Sequence, residues 1–229
     1  MEYTTQSLQE RLAGFMYKVY GLMAVAFVIT AAIAYYISHT PTLYKPLVTS
    51  PGIFMVVLIA QLILVVFITL LMPRLNTSIA ALLFFLYAIS MGITSSVIFL
   101  IYDTHSIYIA FFVSAAMFAA MAIYGYVTKT DLSSIGNIAL MALVGLVIGL
   151  LVNLFFKNDM FDIILSSVGV IIFTALTAYD SQRIKYIGRL MLAEGQGISK
   201  IAIFGALTLY LDFINLFLYI LSLTGRKRD

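Results

Sequence analysis

Residues 207–223 read LTLYLDFINLFLYILSL, and this stretch decides the class of fold. It is built mainly from Leu, Ile, Phe and Tyr, and it is close to the 20 or so apolar residues that a membrane-spanning helix needs. Asp212 lies near its middle, although a carboxylate at bilayer depth costs roughly 2.5–3.5 kcal/mol on insertion scales. A helix of this kind has to turn Asp212 toward protein or water. We therefore expect the last helix to lie near the centre of a helix bundle.

The composition of the whole chain is that of an integral membrane protein. Of 229 residues, 63% are hydrophobic and only 10% are charged, whereas a soluble domain carries about 25% charge. The chain has no cysteine, which excludes disulfides and thiolate nucleophiles. The net charge of +3 is small and its basic residues are scattered between apolar runs. The lipid bilayer is therefore an expected partner, and nucleic acid is not.

Seven apolar runs are long enough to cross a bilayer, and the connections between them are short. They lie at about 19–38, 53–72, 78–101, 106–127, 136–156, 162–180 and 201–223. The pattern predicts an all-α fold, a seven-transmembrane helix bundle with the last helix central, and a single integral membrane domain over residues 1–229. Gly145 and Gly149 have GxxxG spacing in the fifth run, which predicts a close-packing face.

Residues 1–18 precede the first run and have a pattern of their own. Ser7 and Glu10 have the spacing of a capping box, and Leu8, Leu12 and Phe15 recur on one helical face. Two interpretations follow. The segment is either a short amphipathic helix on the cytoplasmic membrane surface or an N-terminal extension of the first span.

The distribution of Lys and Arg predicts a cytoplasmic N-terminus and a C-terminus on the outside. With this orientation, eight basic residues are cytoplasmic: Arg11, Lys18, Arg74, Lys129, Arg183, Lys185, Arg189 and Lys200. Five are outside: Lys45, Lys157, Arg226, Lys227 and Arg228. The basic tail is disfavoured outside, so a re-entrant last segment is the alternative. We favour seven full spans.

Two aspartates stand apart from the other acidic residues, which lie in loops and tails. Asp180 is near the end of the sixth run, and Asp212 is in the seventh. Thr177 precedes Asp180 by three residues and Thr208 precedes Asp212 by four, so each hydroxyl shares a helical face with its carboxyl group. Asn215 continues the face of Asp212. We predict that Thr177, Thr208 and Asn215 support the two carboxyl groups.

A purely structural role for Asp212 is the alternative. A protonated carboxyl group can hydrogen-bond a neighbouring helix, although such a bond is worth only about 1 kcal/mol. The distance between the aspartates is also open. Asp212 lies about 20 Å along its helix from Ser199, whereas Asp180 lies only about 5 Å from Arg183. The carboxyl groups can meet if the sixth helix continues past Arg183, as Ile184, Ile187 and Met191 allow.

Several motifs make the chain resemble the transmembrane Bax inhibitor motif family, and its bacterial inner-membrane branch most of all. The motifs are KVYG at 18–21, YGYVTK at 124–129, TKTDLSSIGNIALMALVGL at 128–146, TAYDSQRIK at 177–185 and GALTLYLDFINLFLYIL at 205–221. The resemblance covers nearly the whole chain. It implies an integral protein of the bacterial plasma membrane with seven helices, the last one surrounded by the other six.

The resemblance also implies a function, a pH-sensitive calcium leak across the membrane. Asp180 and Asp212 match the family's aspartate pair, which makes them the expected ion pathway, pH sensor and transient calcium ligands. Arg74 is the expected counter-charge of Asp180. Some family members carry an acidic residue in the second span, where this chain has only Gln61. Calcium ions and protons are therefore the expected partners, with no cofactor and no enzymatic activity.

Two other functions compete with the calcium leak. An intramembrane aspartyl protease also uses one Asp after a Tyr and a second in the next span. Such enzymes, however, carry GxGD where this chain has Tyr210, Leu211 and Asp212, and they need a later proline, which is absent after Pro73. The other alternative is a non-transporting regulator that binds another membrane protein, such as a membrane protease.

Overall fold

A computed structural model of the protein describes residues 5–72, 74–156 and 158–228. Within these residues the chain forms helices joined by short links, and its only β-type pairing is an isolated bridge between Tyr102 and Lys227. The helices are α1 (Thr5–Ser38), α2 (Pro41–Thr49), α3 (Pro51–Leu71), α4 (Thr77–Ser95), α5 (Ile98–Ile101), α6 (Thr104–Val127), α7 (Ser133–Phe156), α8 (Asp159–Ala193) and α9 (Ser199–Thr224).

Seven helical stretches among the described residues are long and apolar enough to cross a membrane. They are Ser7–Ser38, Pro51–Leu71, Thr77–Ile101, Thr104–Val127, Ser133–Phe156, Asp159–Ala193 and Ser199–Thr224. The third combines α4 with the short α5. The prediction of an all-α membrane protein with seven spanning helices is confirmed, and most predicted ends are within three residues of the observed ones.

The sixth span is longer than the sequence predicted. The predicted run ended at residue 180, whereas α8 has 35 residues and continues to Ala193. Apolar residues at helical spacing extend its buried face past the last long apolar run, and Ile184 and Leu192 are both buried. The helix ends just before Gly195, whose φ of 69° is the left-handed conformation that commonly follows a helix C-terminus.

From Thr5 onward, the N-terminal segment is continuous with the first spanning helix and does not form a separate helix. Residues 1–4 lie outside the described residues. The first helix is continuous over 34 residues. Phe15 is fully buried, and its ring packs so closely on Gly188 that a Cβ atom there would overlap it. Lys18 Nζ also donates a hydrogen bond of 2.9 Å to Ser199 Oγ at the start of α9. The apolar face of this segment therefore packs on protein.

The described residues form two compact units, and α8 and α9 contribute to both. The first unit comprises those of Met1–Asp103, Gly188–Leu207 and Lys227–Asp229. Its core includes a close contact between α1 and α4, where Thr30 Oγ1 donates to the Ala88 carbonyl at 2.9 Å. The second unit comprises Thr104–Ile187 and Thr208–Arg226. It contains both Asp180 and Asp212.

The C-terminal tail is held by backbone contacts beyond α9. In the first unit, the Arg228 amide donates to the Ile101 carbonyl at 2.8 Å, and the Arg228 guanidinium donates to the Phe99 carbonyl at 3.0 Å. The tail therefore lies beside the end of the third span. α9 is continuous over 26 residues, about 39 Å, which is long enough for a full span rather than a re-entrant segment. Which side of the membrane holds each terminus stays a prediction.

The last span is the most buried of the seven. Within its membrane-spanning window 61% of the residues are buried, against 11–39% for the other six. Tyr210, Leu209 and Leu216 are completely enclosed. This burial is the property expected of a helix that is surrounded by other helices.

Candidate functional site

Because α8 continues to Ala193, Asp180 and Asp212 lie at the same distance from the link between α8 and α9. The sequence had suggested that these distances differ. Asp180 lies 13 residues before the end of α8 at Ala193, and Asp212 lies 13 residues after the start of α9 at Ser199. Each is therefore about 20 Å along its helix from the link between them. Two antiparallel helices joined by a short link bring such positions to the same level.

The two carboxyl groups meet inside the second unit. Asp180 is 9% exposed and Asp212 is 4% exposed, and their side chains are hydrogen-bonded to each other. An ionised carboxylate can only accept hydrogen bonds, so a bond between two carboxyl groups requires one of them to carry a proton. Two carboxyl groups placed in this way can share one proton.

One oxygen of the pair is left without a hydrogen bond. No described residue donates to Asp212 Oδ2, which is buried. Leaving a buried acceptor unpaired costs about 1–3 kcal/mol, and a proton, a water molecule or a metal cation would remove that cost. This oxygen is therefore the atom of the pair best placed to accept a ligand.

Two of the three polar groups predicted to support the pair have other hydrogen-bond partners. Thr177 is fully buried, and its hydroxyl donates to the Phe173 carbonyl of its own helix at 2.7 Å. The Asn215 amide donates to the Leu211 carbonyl at 2.8 Å. The only side-chain donor of Thr177 is therefore bonded within its own helix. Thr208 is partly buried on α9, and its support of Asp212 stays a prediction.

The nearest charged residue along α8 is one that the sequence analysis did not choose. The Arg183 guanidinium acts electrostatically on the Asp180 carboxylate, from a position three residues further along the same helix. Arg74, the predicted counter-charge, belongs to the first unit and is exposed. Its role stays a prediction. A basic residue three positions after an acidic one on a helix is the signal that could have identified Arg183.

Aromatic rings pack against α9 directly beside Asp212. Phe213 is 5.6 Å from Phe111 and 5.6 Å from Phe118, and both contacts are edge-to-face. Phe217, one turn further along α9, is 6.4 Å from Phe111. The segment after Asp212 therefore contacts α6 through aromatic rings.

The glycines that permit close packing around α8 differ from the predicted ones. A Cβ atom at Gly125 of α6 would overlap the Ala178 carbonyl oxygen, and one at Gly136 of α7 would overlap the Tyr179 ring. Gly149 packs only against the Leu165 side chain, and Gly145 has no neighbour within 4 Å. The GxxxG prediction is therefore wrong at Gly145.

The link before α7 is also ordered by local hydrogen bonds. The Ser133 amide donates to Asp131 Oδ1 at 2.9 Å. Hydrogen bonds from Ser133 lower the pKa of Asp131 below its usual value of 3.8, which keeps this carboxylate ionised at neutral pH. A negative charge at the start of a helix is favoured by the helix dipole.

The donor set of the aspartate pair suits a passing cation better than a resident one. Calcium prefers six to eight oxygen ligands, and the pair supplies at most four. Over the described part of the chain, no group of three or more His, Cys, Asp or Glu side chains could hold a metal ion.

Fold and site together define an integral membrane protein of seven spans with a hydrogen-bonded carboxyl pair on its last two helices. Residues 12–229 match the family model described as "Inhibitor of apoptosis-promoting Bax1". The chain belongs to this Bax inhibitor family, and the sequence-based assignment is confirmed.

Similar proteins occur in several bacteria. The chain is 41% identical over 218 residues to the inner membrane protein YbhL of Escherichia coli K12, a match that covers 95% of this chain and 93% of YbhL. A protein of Borreliella burgdorferi is 38% identical over 227 residues, with 98% of each chain covered. Protein RP147 of Rickettsia prowazekii is 37% identical over 224 residues, covering 98% and 94%.

Proposed function

We propose that the protein is a pH-sensitive calcium leak pathway of a bacterial inner membrane, controlled by the proton that Asp180 and Asp212 share. The observation that carries the proposal is the hydrogen bond between two buried carboxyl groups on consecutive spanning helices. The similarity to YbhL, an inner membrane protein of Escherichia coli, supports the choice of membrane. A passive pathway of this kind needs no cofactor and catalyses no reaction.

The mechanism follows from the charge of the pair. With one proton shared, a short hydrogen bond holds α8 and α9 together and the pathway is closed. With both groups ionised, repulsion between them favours separation of the two helices. A calcium ion can then take the place of the proton, because both bind the same carboxylate oxygens. Proton and calcium therefore compete, and flux is expected to increase as the pH rises.

The test is calcium flux into liposomes that contain the purified protein, measured from about pH 5 to pH 8, a range that brackets shifted carboxyl groups. Coupled groups titrate as a pair, so Asp180→Asn and Asp212→Asn are each expected to abolish the pH dependence. The double variant is expected to add little. Asp159→Asn, an exposed aspartate at the start of α8, is the matched control and should keep the wild-type profile.

Two outcomes would contradict the proposal in different ways. If both single variants keep the wild-type pH profile, the pair is not the sensor, and Asp212 has the purely structural role of hydrogen-bonding a neighbouring helix. If wild-type flux equals that of empty liposomes at every pH, the non-transporting regulator of another membrane protein becomes the better function.

A further inference from the structure

One face of α8 is hydrogen-bonded to α6. Ser181 Oγ donates to the Ala122 carbonyl at 2.9 Å. One turn further, Lys185 Nζ donates to the Tyr126 carbonyl at 2.6 Å and lies 4.7 Å from the centre of the Tyr126 ring. The Tyr126 carbonyl is in the last turn of α6, where unpaired carbonyls and the helix dipole both favour a cation.

Gln182 bonds the same face of α8 to the link between α6 and α7. Its Oε1 accepts from the Leu132 amide at 2.9 Å, and its Nε2 donates to the Thr130 carbonyl at 2.8 Å. One side chain thus satisfies two backbone groups of the link. We call Ser181, Gln182 and Lys185 together the α8 clamp.

Close backbone packing accompanies the α8 clamp. The carbonyl of Ala178 approaches α6 so closely that only a glycine fits at position 125. Ala178 and the clamp residues follow the i, i+3, i+4, i+7 spacing of a single helical face. Asp180 is about 200° around the helix from Ala178 at 100° per residue. It therefore lies on the opposite face, where it meets Asp212.

We propose that Gln182 and Lys185 are positioning residues that keep α8 bound to α6 and to the α6–α7 link in both protonation states of the aspartate pair. Asp180 is then the stationary member of the pair, and the carboxyl groups separate by a displacement of α9 relative to α8. The effect that this proposal predicts on calcium flux rests on the proposed function. The fixed position of α8 against α6 can be tested without any flux.

The flux-independent test uses the absence of native cysteine. Nitroxide labels at Ile123→Cys on α6 and Tyr186→Cys on α8, both exposed positions, report the distance between the helices by pulsed electron resonance. We expect the same distance distribution at pH 5 and pH 8, and a broader one when Gln182→Leu is added. A distribution that changes with pH in the otherwise wild-type chain would overturn the proposal, whether or not the protein conducts calcium.

The second test uses disulfides that tie one helix pair at a time. Ala122→Cys with Ser181→Cys ties α8 to α6, and Ser166→Cys with Ser222→Cys, whose hydroxyl groups are 3.0 Å apart, ties α8 to α9. Oxidation is expected to leave the flux of the first variant equal to that of its reduced form and to suppress the flux of the second. Loss of flux in the first variant, or unchanged flux in the second, would contradict the proposed movement.

A third measurement separates positioning from mere stability. Gln182→Leu changes no charge, so the charged residues near it on α8, Asp180, Arg183 and Lys185, are unaltered. We expect the pH midpoint of its flux to move about 0.5 unit toward lower pH, the size expected for one lost hydrogen bond, since a looser α8 allows repulsion to separate the pair more easily. Lys185→Arg, which retains the cation, should keep the wild-type midpoint. So should Gln196→Leu, a control at an exposed glutamine that bonds its neighbour Glu194. A wild-type midpoint in Gln182→Leu would refute the positioning role.

Discussion

The second span is more apolar than the seventh, yet the seventh is the more buried of the two. The window of α3 has a mean hydropathy of 3.1 and is 11% buried, whereas that of α9 has a mean hydropathy of 2.0 and is 61% buried. In a soluble protein the more apolar helix is the one inside. Here the lipid is as apolar as Leu, so burial gives an apolar side chain little advantage. Polar groups such as Asp212 are the ones that need protein around them.

Within α3, too, the polar side chain is the one that packs against protein. Its buried residues are Gln61 and Ile68, which lie one above the other on a single helical face. Gln61 Nε2 donates to Thr94 Oγ1 of α4 at 3.1 Å. The one amide of this helix is thus turned toward protein, while its many aliphatic side chains stay exposed.

The largest effect is expected from placing a carboxylate on the exposed face of α3. Leu62 is 64% exposed and is near the middle of the helix, so Leu62→Asp should cost about 2.5–3.5 kcal/mol of membrane insertion. The measurement is the fraction of protein recovered in the membrane, with Leu62→Ala as the control. Normal insertion of Leu62→Asp would show that this face is not in contact with lipid, and the comparison with α9 would fail.

A smaller loss is expected from a methyl group at the contact between α6 and α8. Gly125→Ala places a Cβ atom against the Ala178 carbonyl oxygen, a backbone atom that cannot move away alone, and overpacking of this kind typically costs about 1–3 kcal/mol. Gly145→Ala is the matched control, because its added Cβ atom meets nothing. Thermal unfolding in detergent compares the two. Equal transition temperatures would show that α6 and α8 are not in close contact.

The smallest effect is expected at the polar contact of α3. Gln61→Leu removes one hydrogen bond between membrane helices, which is worth about 0.6 kcal/mol on average. Thr94 keeps a partner, since its hydroxyl also donates to the Met91 carbonyl at 3.1 Å. A slight decrease in thermal stability is therefore expected. A large loss of stability would mean that α3 depends on this bond for its place beside α4, contrary to the contrast drawn with α9.

The spans could be predicted from the sequence because each is a continuous apolar run of the length that a bilayer demands. The end of α8 could not, because beyond Asp180 the apolar residues recur only on one face and charged residues appear between them. The same limit applied to the first 18 residues, where one amphipathic face fits a membrane surface as well as it fits Gly188 and its neighbours.

The candidate site was predicted in part. Asp180 and Asp212 were chosen because a carboxyl group inside an apolar run is costly, and that argument needs no coordinates. The hydrogen-bonding of Thr177 to its own helix could not be read from spacing, since a hydroxyl on the correct face can bond either its own backbone or the carboxyl group. The same holds for Gly125 and Gly145, because small residues look alike in sequence whether they meet a backbone or open space.

By itself, the sequence determined that this chain is a seven-span membrane protein of the Bax inhibitor family, with one aspartate near the end of its sixth apolar run and another inside its seventh. Those properties depend on composition, on run length and on motifs, all of which are local along the chain. Only the tertiary structure decided that Asp180 and Asp212 share a hydrogen bond, and that Ser181, Gln182 and Lys185 bond α8 to α6 and the α6–α7 link. Contacts between helices depend on their lengths, register and rotation, and these are set by the packing of residues far apart in the chain.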